Sequence, residues 1–164
     1  MSEFMDTHTG VFHEEAFRHL LTREAGRATR YQDFFSVCLL RPDLSNDPRQ
    51  LEEIERSISE KIPEFVRSTD LVGQLSSVIA VILLHTAGAD AFRVAERIRA
   101  SLEQVAFREG LGGRPQRLTV SVGKVSFPSD GHTDAILLSR ALAYLDQAVQ
   151  QGGNQVAHGT GNPS

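Results

Sequence analysis

The run Val78–Leu84 contains no polar residue. It is too short to cross a membrane and too uniformly apolar for a half-exposed strand, so it predicts a central strand buried on both faces. Whatever this chain folds into must therefore supply a layer of structure on each side of that strand. Immediately before it, Leu71-Val72-Gly73-Gln74-Leu75 is also strand-like, and the two runs meet at Ser76-Ser77. This predicts a β-hairpin, although its turn lacks the Gly or Asn that tight hairpins favour where φ is positive.

Around the hairpin the pattern alternates between helix and strand. Phe17, Leu20, Leu21, Ala25 and Ala28 recur at helical spacing after a structured loop over residues 6–12, with Glu14 and Glu15 placed in the first turn, where the helix dipole favours acids. Phe34 to Leu40 reads as a strand ended by Arg41-Pro42, because proline cannot donate to a ladder. A second apolar stripe, Leu51, Ile54, Ile58, Ile62 and Phe65, marks a helix that Pro63 should kink or stop. A third stripe runs from Ala91 to Val105 and is closed by a Gly-rich turn at Gly110–Gly113. Leu118 to Phe127 alternates apolar and polar residues, which predicts a strand covered on one side. Ile136 to Ala148 is a fourth helix, stopped by Gly152-Gly153, and Gln155-Val156-Ala157 predicts a short edge strand before a disordered tail from His158.

These elements predict an α/β (α+β) sandwich, with a mixed or antiparallel central sheet flanked by helices. A chain of 164 residues with 40% hydrophobic content holds one well-buried core, so residues 6–158 are expected to form a single domain and 159–164 a flexible tail. The net charge of -4 gives no general pull toward nucleic acid. No stretch approaches the ~20 apolar residues of a spanning helix, and no basic-then-apolar leader opens the chain. Membrane insertion is therefore not expected. The lone Cys38, inside an apolar run, suits a buried core position in a reducing cytoplasm.

Four landmarks in order resemble the GGDEF (diguanylate cyclase) family of bacterial signal transduction. Residues 6–13, Asp-Thr-His-Thr-Gly-Val-Phe-His, resemble its opening D-x-L-T-G-L-x-N. Arg67 to Asp70 resembles the R-x-x-D before the signature, Leu118 to Pro128 the T-x-S-x-G strand, and Ala141 to Val156 the closing helix and strand. The resemblance implies a nucleotide-cyclase-like palm. It also implies that the signature is lost, since Ser76, Ser77, Val78, Ile79 and Ala80 stand where the family carries Gly-Gly-Asp/Glu-Glu-Phe.

Condensing two GTP molecules is phosphoryl transfer and needs Mg²⁺ on oxygen ligands, which valine and isoleucine cannot provide. The family's other metal-binding aspartate is replaced by Arg41, with Asp43 two residues later. Its phosphate-binding lysine and arginine are replaced by Val149 and Gly153, and the guanine-reading segment is shortened, with Asn46-Asp47 as a remnant. The resemblance thus implies a degenerate domain with no catalytic residue, no metal and no cofactor. What it leaves in place is the family's product site, where Arg67 and Asp70 with Arg97 on the next helix would bind cyclic di-GMP. Arginine's planar fork suits phosphate oxygens and the guanine edge, and aspartate accepts from guanine N–H groups. The same Arg67–Asp70 spacing also reads as an ion pair in a turn that opens a strand. A cyclic di-GMP receptor is therefore expected first. A protein-interaction or dimerisation module without nucleotide binding is the alternative.

Overall fold

The computed structural model describes residues 4–6, 9–43, 48–107 and 116–159. Thr7, His8, Asn46-Asp47, Gly110–Gly113 and residues 160–164, all used above, lie outside them. Helices α1 (Glu14–Tyr31), α2 (Pro48–Lys61), α3 (Gly88–Gln104) and α4 (Asp134–Gln150) surround strands β1 (Phe35–Pro42), β2 (Leu71–Leu75), β3 (Val78–Leu84), β6 (Val120–Phe127) and β7 (Val156–His158). A separate two-stranded ribbon, β4 (Ala106–Phe107) with β5 (Gln116–Arg117), lies between α3 and β6 and was not foreseen from the sequence. The main sheet has the order β2-β3-β1-β6-β7, antiparallel except for the parallel β6–β7 edge. It is the mixed sheet that the pattern predicts.

The alternation of side chains along β1 and β3 divides the core in two. Cys38, Leu40, Ile79, Val81 and Leu83 face Ile54, Ile58 and Ile62 of the α2 segment and Ala91, Ala95, Ile98 and Leu102 of α3. Phe35, Val37, Leu39, Val78, Ala80 and Ile82 face Phe17, Leu21 and Ala25 of α1 and Leu137, Ala141 and Leu145 of α4. Val78 to Leu83 is buried throughout, as expected of a strand with helices on both sides. α2 ends at Lys61, and the chain tightens into a 3-10 turn, Ile62–Glu64, at Pro63.

Three expectations change. First, β1 does not stop before Arg41-Pro42; both residues pair with β6, as Arg41↔Ser121 and Pro42↔Val120. Pairing with β3 has already ended at Leu40↔Ile79, so the N–H that proline lacks removes no bond from that ladder. Second, β6 is buried at every position, not on one face. Its polar residues are absorbed by specific partners. Ser126 Oγ lies 2.8 Å from Ser36 Oγ, and Lys124 donates to the Gly88 carbonyl at 3.3 Å, while burial pushes the Lys124 amine below its ordinary pKa. Gly123 belongs to the same accommodation, since a Cβ there would stand 2.2 Å from the Ala141 carbonyl oxygen of α4. Third, His158 is not the first residue of a tail but the last of β7, in register with Lys124.

Candidate functional site

The hairpin comes first, because the resemblance places the family's signature there. Ser76 takes a left-handed conformation, φ 48°, which a non-glycine residue adopts at a cost. The compensation comes from α1. Glu14 Oε1 accepts from the Ser76 backbone N–H at 2.5 Å and from its hydroxyl at 3.1 Å. The Ser76 N–H bond is also the main reason the Glu14 carboxyl sits below its ordinary pKa. Sequence inspection had credited Glu14 only with the helix dipole; its part in clamping the turn leaves no sequence signal. Val78, Ile79 and Ala80 follow with at most 5% exposure. Val78 and Ala80 lie in one core and Ile79 in the other, so none of the three side chains faces a solvent-filled cleft.

Just past the end of β1 that pairs with the start of β3, and so on the hairpin's side of the sheet, Asp43 is held by three donors. Its carboxylate accepts from Thr119 Oγ1 at 2.6 Å, Ser121 Oγ at 2.6 Å and the Asn154 backbone N–H at 2.8 Å. These bonds latch the turn after α4 to the sheet. Gly153 sits directly over the carboxylate with φ +74°, and a Cβ there would come within 2.8 Å of Asp43 Oδ1. Arg41 forms a loose ion pair with Asp146 at 3.7 Å, and Val149 is 44% exposed on α4. The Thr119–Asp43–Ser121 bonds were missed because they join residues far apart in sequence.

Arg67 and Asp70 are brought together in the turn that opens β2. Asp70 has a side chain only 2% exposed, and Arg67 one 55% exposed, with a closest approach of 3.4 Å. The Asp70 carboxylate accepts from the Arg67 backbone N–H at 3.0 Å and from the Leu84 N–H at 3.1 Å. It therefore ties the start of β2 to the end of β3. The Arg67 guanidinium also donates to the Leu84 carbonyl and, at 2.7 Å, to Thr86 Oγ1. Thr86 carried no sequence signal. Arg97, exposed on α3, donates to the Phe65 carbonyl at 2.9 Å, two residues before Arg67. Arg30 and Asp33 repeat the Arg-x-x-Asp spacing elsewhere in the chain, but there the aspartate bonds Arg27 at 2.7 Å.

A fourth place, this one with unspent polarity, lies between the N-terminal loop, α2 and the hairpin. The loop is pinned along β2, since Phe12 donates to Val72 and accepts from Gln74. A cavity of about 510 Å³ remains beside it, lined by Thr9, Phe12, His13, Glu52, Glu55, Arg56, Ser59 and Gln74 among others. Burial pushes the Glu55 carboxyl above its ordinary pKa, with Arg41 opposing and Glu52 adding to the rise.

Comparison with known proteins gives these sites a family. The GGDEF domain family, described as diguanylate cyclase, matches residues 50–155. This chain belongs to it. The response regulator PleD of Caulobacter vibrioides is 33% identical over 106 residues, which make up 64% of this chain but only 23% of PleD. The chain thus spans less than a quarter of that relative's length. Among solved structures, diguanylate cyclase SiaD of Pseudomonas aeruginosa, crystallised with its activator SiaC, superposes with a TM-score of 0.83 at 23% identity, covering 96% of this chain and 62% of that one. The coiled coil and GGDEF domain of DgcB from Caulobacter crescentus, crystallised with c-di-GMP, gives 0.80 at 18% identity, covering 95% and 85%. At these identities the two structures establish the fold, which is the palm that the resemblance implies.

Proposed function

We propose that this chain is a catalytically inactive GGDEF-type domain that binds cyclic di-GMP through Arg67, Asp70 and Arg97 and acts as a regulatory module. Inactivity follows from three separate losses: buried Val78 and Ile79 at the carboxylate positions, Gly153 pressed against Asp43, and an Asp43 carboxylate whose oxygens already serve three donors. Magnesium bound to a triphosphate would meet no carboxylate at Val78, Ile79 or Gly153 and would have to compete with three hydrogen bonds for that of Asp43.

The observation that carries the binding proposal is the pre-formed turn at Arg67–Asp70. Asp70 is fixed by two backbone N–H groups, so the arginine beside it starts from a defined position, and more than half of its side chain is exposed to meet a ligand. DgcB, which shares the fold, was crystallised with c-di-GMP. One specific observation favours the second reading, a protein-interaction module that no longer binds nucleotide. The Arg67 guanidinium is already spent on Leu84 and Thr86, so the pair holds the hairpin together without a ligand, and SiaD shows a protein of this fold in complex with a protein activator.

Calorimetric titration with cyclic di-GMP separates the two. Binding should be saturable and tighter than about 1 mM, and Arg97→Ala, which gives up one carbonyl contact within the protein, should weaken it by about tenfold or more. A parent protein that takes up no dinucleotide hands first place to the interaction module. Affinity unchanged by Arg97→Ala and Arg67→Lys would place the ligand elsewhere.

A further inference from the structure

We propose that the cavity between the N-terminal loop, α2 and the hairpin is a binding site for a guanidinium or amidinium cation. This goes beyond the cyclic di-GMP reading and uses none of its residues. Glu52, Glu55 and Ser59 sit at helical spacings of three and four on α2 and all line the cavity, so their polar ends share one wall. Two atoms in that wall are buried and have no hydrogen-bond partner among the described residues: Glu55 Oε1 and Ser59 Oγ. Ser59 as a whole is only 5% exposed. A buried acceptor left unpaired is costly, and most such groups in folded proteins have partners. Two on adjacent turns of one helix, both at the same cavity, point to a donor that arrives from outside.

Three features define the donor's chemistry. The carboxylates of Glu52 and Glu55 outnumber the cationic Arg56 on the α2 wall of the cavity, so a cation is favoured over an anion. A positive charge beside Glu55 also offsets both the burial and the Glu52 repulsion that raise its pKa. Oε1 and Oγ need separate N–H donors, which a planar fork supplies in a fixed arrangement. Guanidinium is also more weakly hydrated than ammonium and is less costly to desolvate. The ring of Phe12 forms part of the same lining, and an aromatic face suits a planar cation. The cation can be carried by an arginine side chain on a partner peptide or by a free small guanidine.

The test titrates the full chain with agmatine, with a blocked Gly-Arg-Gly tripeptide, and with n-butylamine and guanosine as comparators, following amide shifts of α2 by NMR. Agmatine should saturate, with n-butylamine at least several-fold weaker, and Glu55→Gln should lower the affinity by about tenfold to a hundredfold. Ser59→Ala provides a second variant that removes one acceptor while leaving the carboxylates in place. A tripeptide that binds more tightly than agmatine assigns the site to a partner arginine; the reverse assigns it to a free guanidine. No saturation by either guanidine overturns the proposal, as does binding indifferent to both Glu55→Gln and Ser59→Ala. Guanosine saturating at lower concentration than agmatine would also overturn it, showing that the cavity reads a base and not a cation.

Discussion

Placing an acid in the buried start of β3 should unfold the protein, and Ile79→Glu tests this most sharply. Ile79 is fully buried among Ile54, Ile58, Val81 and the α3 side chains. Removing the isoleucine forfeits about 2–3 kcal/mol of apolar burial. The glutamate that replaces it must either bury an unpaired charge or stay protonated. Protonating a carboxyl with an ordinary pKa near 4.3 at pH 7 costs about 3.7 kcal/mol. The loss of roughly 6 kcal/mol rivals the ~5–15 kcal/mol that holds a typical domain together. With a urea m-value of about 2 kcal/mol/M, the unfolding midpoint followed by circular dichroism should fall by roughly 3 M. Ile79→Val should cost only about 0.5–1.5 kcal/mol, and Ser77→Glu at the exposed turn should stay within about 0.5 kcal/mol of the parent. An Ile79→Glu midpoint within about 0.3 M of the parent would refute the reasoning, because the side chain would then have to reach water from this position.

Other outcomes follow from the same contacts. Purified protein given GTP with Mg²⁺ or Mn²⁺ should release no cyclic di-GMP in a chromatographic assay, and Val149→Lys should not change that. Gly153→Arg should destabilise the fold, because φ +74° and an Asp43 carboxylate that would stand 2.8 Å from the new Cβ both oppose a side chain; an unchanged melting temperature would count against the latch. Asp43→Ala, which strands the hydroxyls of Thr119 and Ser121 and the Asn154 N–H, should cost about 2–4 kcal/mol and speed amide exchange in β7. Glu14 has a depressed folded pKa, so the stability it lends is present above the unfolded glutamate value and is lost as pH falls through the lower folded one. Glu14→Gln should remove that contribution at neutral pH and flatten the acid limb of a stability–pH curve, so that parent and variant converge as pH falls through the window; curves that coincide at neutral pH would count against the clamp.

How much of this was legible in the sequence differs between elements. The four helices and the hairpin announced themselves through periodicity, because burial on one helical face or on both strand faces writes a repeating pattern. β6 misled, since its alternation of apolar and polar residues marks one covered face only if the polar residues reach water; Ser126 finds Ser36 and Lys124 finds the Gly88 carbonyl instead. Arg41-Pro42 misled for a related reason, as the cost of proline depends on whether a neighbouring strand is present at that register, which one sequence does not state. At the candidate sites, the Arg67–Asp70 pairing was visible as spacing. Its anchoring to Leu84 and Thr86 was not, and neither was the Glu14–Ser76 clamp or the unpartnered Glu55 and Ser59 atoms, because each depends on where another element comes to rest.

The central claim is that a ligand-binding site survives at Arg67, Asp70 and Arg97 after the catalytic positions have been absorbed into the core. An NMR titration of the isotope-labelled chain with cyclic di-GMP tests it most directly, because it reports both whether the dinucleotide binds and where. The account predicts saturable shifts concentrated over residues 65–71, 84–86 and the amide of Arg97, all lost in Arg67→Ala. Shifts confined to α2 and the Ser76-Ser77 turn, or none at millimolar dinucleotide, would contradict it.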